Sequence, residues 1–317
     1  MPVENMTVKS EYRESMKVWL NGKIMSYKDA RVPILLHPVQ YGSGVFEGIR
    51  AYQKGKGTAI FRLDDHVQRF IRSAHIYSMD LGYTEKEIRN AIIDVVRRNG
   101  LSSCYIRPFA FINSDKIGLS TFGKPSSLFI AAVPFGSYFG DNKEKGIKCK
   151  ISSWRRINSG ILPVEAKASG NYINSIIAST EAKMSGFDEA IMISYNGYIA
   201  EGPGENIFLV KDSRLITPDT GSDILLGITR DSVIKIAEEI GLIVEQRQVH
   251  KEEVYTADEA FFTGTAAEIT PIVNVDGIKV GSGSTGPVTK LISERFYKVV
   301  HGDDSVFSSW LTVVKLL

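Results

Sequence analysis

The chain has 317 residues, of which 43% are hydrophobic and 23% are charged, and its formal net charge at pH 7 is +2. This composition is typical of a folded globular protein, and the length predicts two domains or one large one. A net charge so close to zero gives no field that would draw the chain to nucleic acid or to a membrane surface. The longest apolar stretch, 128–135, is far too short to cross a bilayer.

The cysteines and the first residues indicate the compartment. Cys104 and Cys149 lie far apart in the sequence and form no C-x-x-C pair, so we interpret them as buried or free thiols in a reducing environment. The segment 1–18 is polar and has no apolar region of the signal-peptide kind. We therefore expect a cytoplasmic protein.

The first elements are a hairpin and a helix. The strands VWL and KIMSY flank Asn21-Gly22, a residue pair that type I′ turns favour. The segment 64–82 then has helical periodicity. We expect Asp64 or Asp65 to cap its start and Gly82 to end it.

A second helix and two strands follow. Thr84 and Glu87 have the spacing of a capping box, and Gly100 should stop the helix that they begin. Two apolar segments, 104–113 and 127–133, are typical of strands.

A segment rich in glycine and charge, 134–146, is the predicted linker. It separates a small α+β domain, 1–133, from a larger α/β domain, 147–317. In the second domain we expect helices near 171–186, 229–240 and 287–299, and strands near 147–153, 188–194, 206–210, 242–248 and 259–263. An Asn-Gly turn should follow the strand near 188–194.

Several familiar motifs are absent. The sequence has no G-x-x-x-x-G-K-[ST] and no H-E-x-x-H, and its five histidines are scattered, so we expect no metal site. The stretch YGSGVFEG fails as a dinucleotide fingerprint because its third glycine comes one position late. The stretch GSGSTG is more typical of a solvated loop than of a phosphate cradle, and GPGEN lacks the serine of G-x-S-x-G.

Lys167 stands alone among small residues in the stretch PVEAKASGNYINS. A lysine nucleophile must be desolvated or electrostatically perturbed so that its amine is free near neutral pH. Its common partner, pyridoxal phosphate, also needs a carboxylate at its pyridine nitrogen and donors around its phosphate. The sequence offers a group for each need: Glu201 after a predicted hairpin, the helix start at Gly227, Ile228 and Thr229, the strand end at Gly264 and Thr265, and Arg69.

Seven stretches together resemble the class IV aminotransferases: FEGIRAY, DDHVQRF, YIRPF, AKASGNY, EGPGEN, GITRD and TGTAAEITP. The order and spacing are most similar to those of the branched-chain amino acid aminotransferases, from about Val18 to Val300. The resemblance implies the two-domain pyridoxal phosphate fold type IV, which is that of D-amino acid aminotransferase, with an active site between the domains. It implies amino transfer between leucine, isoleucine or valine and 2-oxoglutarate, with glutamate and 2-oxo acids as the other substrates.

The resemblance also implies the role of individual residues. Lys167 would be the Schiff-base lysine and would shuttle the substrate proton. The other cofactor residues would be Glu201 at the pyridine nitrogen, Tyr172 at the ring oxygen, Leu225 on the ring, and Arg69, Ile228, Thr229 and Thr265 at the phosphate. The substrate residues would be Tyr105 with the backbone of Thr265 and Ala266 at the α-carboxylate, Phe46, Tyr41 and Tyr138 in the side-chain pocket, and Arg107 at the distal carboxylate of glutamate.

In the family some of these positions, including that of Tyr41, serve the neighbouring subunit, so a homodimer or an oligomer of dimers is implied. The chain departs from the family at Phe135, where close relatives often have tryptophan, and at Leu226, where proline is frequent. The residues from about His301 diverge, and the apolar WLTVVKLL should pack on the body or on a partner. The alternatives are a D-amino acid or amine transaminase, an aminodeoxychorismate lyase, and a non-catalytic binding protein of the same fold.

Overall fold

The structure is a computed structural model and describes residues 10–136, 138–140 and 145–316. These residues form two compact units. The first unit contains the described residues up to Gly136, the short segment Ala166–Gly170 and the chain from Lys298 onward, and the second contains the rest. Within the described residues, no helix combines the length and apolar character that a membrane span needs.

The strands of the described chain are β1 Lys17–Leu20, β2 Lys23–Ser26, β3 Gly44–Phe46, β4 Ile49–Lys54, β5 Gly57–Phe61, β6 Cys104–Ile112, β7 Ser126–Val133, β8 Ile147–Ile151, β9 Glu189–Ile193, β10 Ile199–Glu201, β11 Asn206–Lys211, β12 Arg214–Thr217, β13 Ile243–Gln246, β14 Glu259–Gly264, β15 Glu268–Val275, β16 Ile278–Lys279 and β17 Leu311–Val314. The helices are Ser10–Ser15, His37–Tyr41, Leu63–Ile76, Glu85–Asn99, Tyr172–Met184, Ile228–Glu239, Glu253–Thr256 and Pro287–His301.

The first unit is built on an antiparallel sheet in the order β17-β5-β4-β6-β7-β1-β2, with β3 paired to β6. The expected hairpin joins β1 to β2, and Asn21 and Gly22 both have positive φ, as a type I′ turn requires. The helices Leu63–Ile76 and Glu85–Asn99 contribute apolar side chains, among them Phe70 and Ile92, to the core of this unit. This antiparallel sheet with its helices is the predicted α+β part of the chain.

The capping box of the second helix is confirmed. The hydroxyl of Thr84 accepts the backbone N–H of Glu87, and the carboxylate of Glu87 accepts the N–H of Thr84. Gly100 takes the left-handed conformation at the end of the helix, as predicted.

The predicted ends of the first helix are wrong. The helix starts at Leu63, after Arg62, which has a φ of 48° and makes no side-chain cap. Asp65 therefore lies in the first turn, where it pairs with the Arg62 guanidinium at 2.8 Å. The helix stops at Ile76 because Ser78 adopts the left-handed conformation and the next N–H, that of Met79, donates to the carbonyl of Ala74, which is a Schellman ending.

The second unit holds a mixed sheet in the order β10-β9-β8-β15-β14-β11-β12-β13, with β16 paired to β15. Its parallel pairs are β8–β9, β8–β15 and β12–β13. The helix Pro287–His301 begins against a carboxylate of this sheet. Buried Glu259 accepts the backbone N–H groups of Val288 and Thr289 at 2.9 and 2.7 Å, which places a negative charge at the positive end of the helix.

Two segments depart from the predicted division of the chain. Ala166–Gly170 and the residues from Lys298 belong to the first unit, although both fall within the expected domain 147–317. The C-terminal strand β17 pairs antiparallel with β5, from Leu311 opposite Phe61 to Val314 opposite Thr58. The divergent tail thus completes an edge of the first sheet. Cys104 and Cys149 are both buried free thiols.

Candidate active site

Lys167 is held by its backbone. Its carbonyl accepts the N–H of Phe46 at 2.9 Å, its N–H donates to the hydroxyl of Ser73 at 3.1 Å, and Val45 forms a β-bridge with Ala168. The flanking Ala166 and Ala168 are buried, whereas Lys167 is only half-buried. The small neighbours therefore let this segment lie against β3.

One face of the helix Leu63–Ile76 presents three polar residues, His66, Arg69 and Ser73, at helical spacing, and all three are buried. Ser73 contacts the backbone of Lys167, while the other two bind Glu47. The Nε and Nη2 atoms of Arg69 donate to the two oxygens of Glu47 at 2.7 and 2.9 Å, and Nδ1 of His66 lies 2.7 Å from Oε2. Arg69, expected at the phosphate, thus has its charge matched by a carboxylate.

In this cluster the pKa values of Glu47 and His66 are both lowered, so the two groups differ in charge near pH 7. Burial alone raises the pKa of Glu47, but the charge of Arg69 and the hydrogen bonds from Arg69 and His66 hold that pKa well below its usual range. Burial lowers the pKa of His66, and the positive charges of Arg69 and Lys167 add to this against the opposing effect of Glu47. The cluster therefore holds an ionised glutamate, a cationic arginine and a neutral histidine near pH 7.

Two predicted residues of the first unit, Lys167 and Arg107, lie over the ring of a third, Phe46. The Nζ of Lys167 lies 5.2 Å and the Cζ of Arg107 lies 4.6 Å from the centroid of that ring. Arg107 also donates from Nη2 to the hydroxyl of Tyr105 at 3.0 Å. An apolar ring, a phenol, a guanidinium and an amine therefore share one region, and the guanidinium lies within cation–π distance of the ring.

The hydroxyl of Tyr105 occupies space that is open only because residue 48 is glycine. A Cβ on Gly48 would overlap with that hydroxyl. The ring of Tyr105 packs against Phe135 with centroids 5.1 Å apart, and the Cζ of Arg50 lies 4.8 Å from the Phe135 ring. Phe135 thus supports Tyr105. Tyr41 is the last residue of the helix His37–Tyr41, is 39% exposed, and packs its ring against His37.

Glu201 is the centre of the candidate site in the second unit. It ends β10 and is buried, and its Oε1 accepts Nε of Arg156 at 2.7 Å. Its Oε2 accepts Nδ2 of Asn206 at 3.0 Å and the backbone N–H of Leu225 at 3.1 Å. The strand β11 places Asn206 here, and the same amide also donates to the carbonyl of Leu225 at 2.9 Å. These donors, one of which is a cation, fix this carboxylate.

Gly227 is the N-cap of the helix Ile228–Glu239 and, having no side chain, makes no side-chain cap. Ile228 and Thr229 form the first turn, where backbone N–H groups have no partner within the helix. Gly227 is required because a Cβ would collide with the side chain of Asn206. This helix start suits an anion, since its amides and its dipole both favour negative charge.

The second set of predicted amides lies in the turn 265–267 between β14 and β15. Gly264 comes just before it, and a Cβ there would lie only 3.3 Å from the carbonyl of Gly204. The glycine therefore lets the turn approach the EGPGEN stretch closely. Thr265 and Ala266 are half-buried in this turn, Tyr172 begins the helix Tyr172–Met184, and the Tyr138 ring packs on Phe139 at 4.7 Å.

The sequence reasoning missed the residues that hold the predicted ones in place: Glu47, His66, Ser73, Arg156 and Asn206. One signal was available for the helix face. His66, Arg69 and Ser73 share the apolar stripe of an amphipathic helix, where polar groups need partners. The partners themselves are distant in sequence: Glu47 is 22 residues from Arg69, and Arg156 is 45 residues from Glu201.

Comparison with known proteins identifies the family. Residues 44–275 match the model of the family Amino-transferase class IV. The chain is 43% identical over 310 residues to the branched-chain-amino-acid aminotransferase of Escherichia coli (strain K12), covering 97% of this chain and 99% of the relative.

Solved structures agree with this match. The branched-chain aminotransferase of Thermoproteus uzoniensis with norvaline is 45% identical with a TM-score of 0.91, covering 94% of this chain and 99% of that one. The branched-chain amino acid aminotransferase of Thermobaculum terrenum in its PLP-form is 38% identical with a TM-score of 0.90, covering 95% and 99%. With the matched family model spanning more than half its length, the chain belongs to the class IV aminotransferases.

Proposed function

We propose that this chain is a pyridoxal-phosphate-dependent branched-chain-amino-acid transaminase. It moves the amino group reversibly between L-leucine, L-isoleucine or L-valine and 2-oxoglutarate. The observation that carries this proposal is the identity of 43% with the E. coli branched-chain-amino-acid aminotransferase along 97% of the chain. The alternatives within the fold, a D-amino acid or amine transaminase and a lyase, differ in the donor that they accept.

The residues present fit the cofactor. Lys167 offers an amine, the buried carboxylate of Glu201 suits a protonated ring nitrogen, and the uncapped helix start at Gly227 offers donors to a phosphate. When bound, pyridoxal phosphate supplies an electron sink for the substrate α-carbon.

We assign the following roles at the cofactor. Lys167 binds it covalently through Nζ and moves the proton at the substrate α-carbon. Glu201 holds the ring nitrogen, Tyr172 contacts the ring oxygen, Leu225 packs on the ring, and the phosphate is held by Arg69, Ile228, Thr229 and Thr265 with the amides of Gly227 and Gly264.

The substrate pocket must accept both a branched apolar side chain and glutamate. Phe46 supplies an apolar wall, and Tyr41 and Tyr138 each combine an apolar ring with a hydroxyl. Arg107, whose guanidinium lies 4.6 Å from the Phe46 ring centroid, meets the distal carboxylate of glutamate. Tyr105, with the backbone of Thr265 and Ala266, takes the α-carboxylate that all these substrates share.

We further propose that the protein is a homodimer or an oligomer of dimers. The segments 32–41 and 117–122 of the first unit expose large apolar side chains, including Ile34 at 78%, Ile117 at 81% and Phe122 at 96%. His37 of the first segment lies with its Nε2 3.1 Å from the carbonyl oxygen of Gly118 in the second. An exposed apolar patch of this kind is typical of a subunit interface. Sedimentation velocity would give the mass, and a monomer at micromolar concentration would contradict this proposal.

We also propose a cytoplasmic location. The two buried free thiols are of the kind that persists in a reducing compartment. Fractionation of the source cells would test it, and recovery of the protein outside the cytoplasm would contradict it.

The test of function is amino transfer by the purified protein supplied with pyridoxal phosphate. L-Leucine, L-isoleucine and L-valine should each support turnover with 2-oxoglutarate, whereas D-amino acids and simple amines should not. Lys167→Ala should abolish the visible absorbance of the bound cofactor and nearly all turnover, because it removes the amine that forms the covalent link. Lys148→Ala, on an exposed side chain of β8, is the matched control and should change neither. Turnover only with D-amino acids or amines, or no cofactor uptake, would contradict the proposal.

A further inference from the structure

Arg156 is a buried arginine in the second unit, and none of the predicted roles includes it. Its side chain is about nine-tenths buried, and its Nε donates to Oε1 of Glu201 at 2.7 Å. Its backbone N–H donates to the carbonyl of Ile193 at 2.8 Å, which continues the pairing with β9 past the end of β8. The arginine is therefore fixed at both ends, by the sheet and by the carboxylate.

Burying the Arg156–Glu201 pair costs free energy, because both charges lose their hydration. Excellent geometry or a functional role must offset that cost. The Nη1 atom of Arg156 is buried and has no hydrogen-bond partner among the described residues, so the guanidinium is incompletely satisfied. Stability alone would be served as well by an apolar pair. What the arginine does supply is a permanent positive charge in direct contact with the carboxylate assigned to the cofactor.

We propose that Arg156 is a positioning residue that keeps Glu201 ionised and in one orientation, so that a proton shared with the cofactor stays on the pyridine nitrogen and not on Glu201. This inference rests on the proposed function, since it takes Glu201 as the partner of that nitrogen. Two further donors, Asn206 and the N–H of Leu225, hold the other carboxylate oxygen and act in the same sense.

The direction of the effect follows from distance. A positive charge stabilises the carboxylate and opposes protonation of a neighbouring pyridine, and both effects fall with separation. Arg156 is hydrogen-bonded to Glu201 itself, so it lowers the proton affinity of the carboxylate more than that of a ring which the carboxylate holds. Arg230 also attracts Glu201, but its guanidinium hydrogen-bonds Thr217, Pro218 and Gln246 instead. Loss of Arg156 therefore moves the shared proton toward Glu201.

The test places pyridoxal phosphate labelled with ¹⁵N at its ring nitrogen in the holoenzyme. The ¹⁵N NMR signal distinguishes a protonated ring nitrogen from a neutral one, and a purely structural role of Arg156 would not move it. Wild type should give the protonated signal and Glu201→Gln the neutral one. Arg156→Met and the polar variant Arg156→Gln should shift the signal toward the neutral position.

Arg155→Met is the matched control. In the described part of the chain, its exposed guanidinium donates to the backbone carbonyls of Ser194 and Tyr195, so the wild-type signal should persist. The double variant Glu201→Gln/Arg156→Met should match Glu201→Gln alone, because Arg156 acts through Glu201. The first half-reaction with L-leucine should slow roughly tenfold or more in Arg156→Met, as expected for one charged hydrogen bond.

The outcomes separate this inference from the proposed function. If wild type takes up no cofactor or transfers no amino group, the proposed function fails before any variant is compared. If wild type and Glu201→Gln behave as expected while both folded Arg156 variants keep the protonated signal, only the inference is overturned. Should Arg156→Met not fold, the signal of Arg156→Gln decides in the same way, and a double variant much slower than Glu201→Gln would also contradict the inference.

Discussion

Glu47→Gln should destabilise the protein much more than a change at an exposed ion pair of the first unit. The side chain of Glu47 is fully buried and accepts hydrogen bonds from Arg69, His66 and the N–H of Gly48. Glutamine keeps the shape but removes the carboxylate that pairs with the buried guanidinium of Arg69. Breaking a buried pair in this way costs about 3–5 kcal/mol, which is more than a hundredfold in the folding equilibrium.

The measurement is urea unfolding of the holoenzyme in excess cofactor, followed by circular dichroism. Asp64→Asn is the matched control, because Asp64 pairs with Arg89 at 2.7 Å on a surface where the two side chains are 60% and 34% exposed. Loss of such a pair should cost about 0–1 kcal/mol. Equal losses for Glu47→Gln and Asp64→Asn would refute the reasoning, since they would mean that the buried cluster contributes no more than a surface pair.

The same variant has a defined pH dependence. The folded pKa of Glu47 is depressed below its ordinary value of 4.5, so its contribution is complete above that pH and is lost as the pH falls toward the folded pKa. The difference in unfolding free energy between wild type and Glu47→Gln should therefore narrow below about pH 4.5. His66, whose folded pKa is also lowered, adds a loss of stability below about pH 6.5. A difference that stays constant down to about pH 3 would contradict the depressed pKa.

Three further changes have separate readouts. Arg107→Met should slow the half-reaction with glutamate and 2-oxoglutarate roughly ten- to hundredfold and the leucine half-reaction much less, because only glutamate loses a partner for its side-chain charge. Stopped-flow measures the two half-reactions separately. Equal losses in both would mean that Arg107 acts on the shared α-carboxylate. Gly48→Ala should raise KM for every substrate by displacing the Tyr105 hydroxyl, and an unchanged KM would remove Tyr105 from the α-carboxylate site. Glu259→Gln should lower the unfolding free energy by about 1–3 kcal/mol, because it weakens the hydrogen bonds from two N–H groups of the helix Pro287–His301. The control Glu252→Gln, at an exposed residue, should not lower it. Similar urea midpoints for the two variants would show that the cap is unimportant.

The features that the sequence alone determined are local or belong to the pattern of motifs. The Asn21-Gly22 hairpin and the Thr84–Glu87 capping box follow from backbone preference and from contacts three residues apart, so neither needs the rest of the fold. The seven motifs indicated the family, and the comparisons confirm it. The roles given to Lys167 and Glu201 stay predictions that the proposed experiments test.

The partners of the charged residues were decided only by the tertiary structure. The sequence of a single helix or strand does not predict that Glu47 pairs with Arg69 or that Arg156 pairs with Glu201. These pairs form only when elements distant in sequence pack together. The same holds for the start of the helix Leu63–Ile76. The N–H of Arg62 is taken by the carbonyl of Trp310, next to β17, so the last strand of the chain helps to set where that helix begins. Local propensity predicts an aspartate cap at this helix start. The helix instead begins after Arg62, because a long-range hydrogen bond and a left-handed backbone conformation fix that residue.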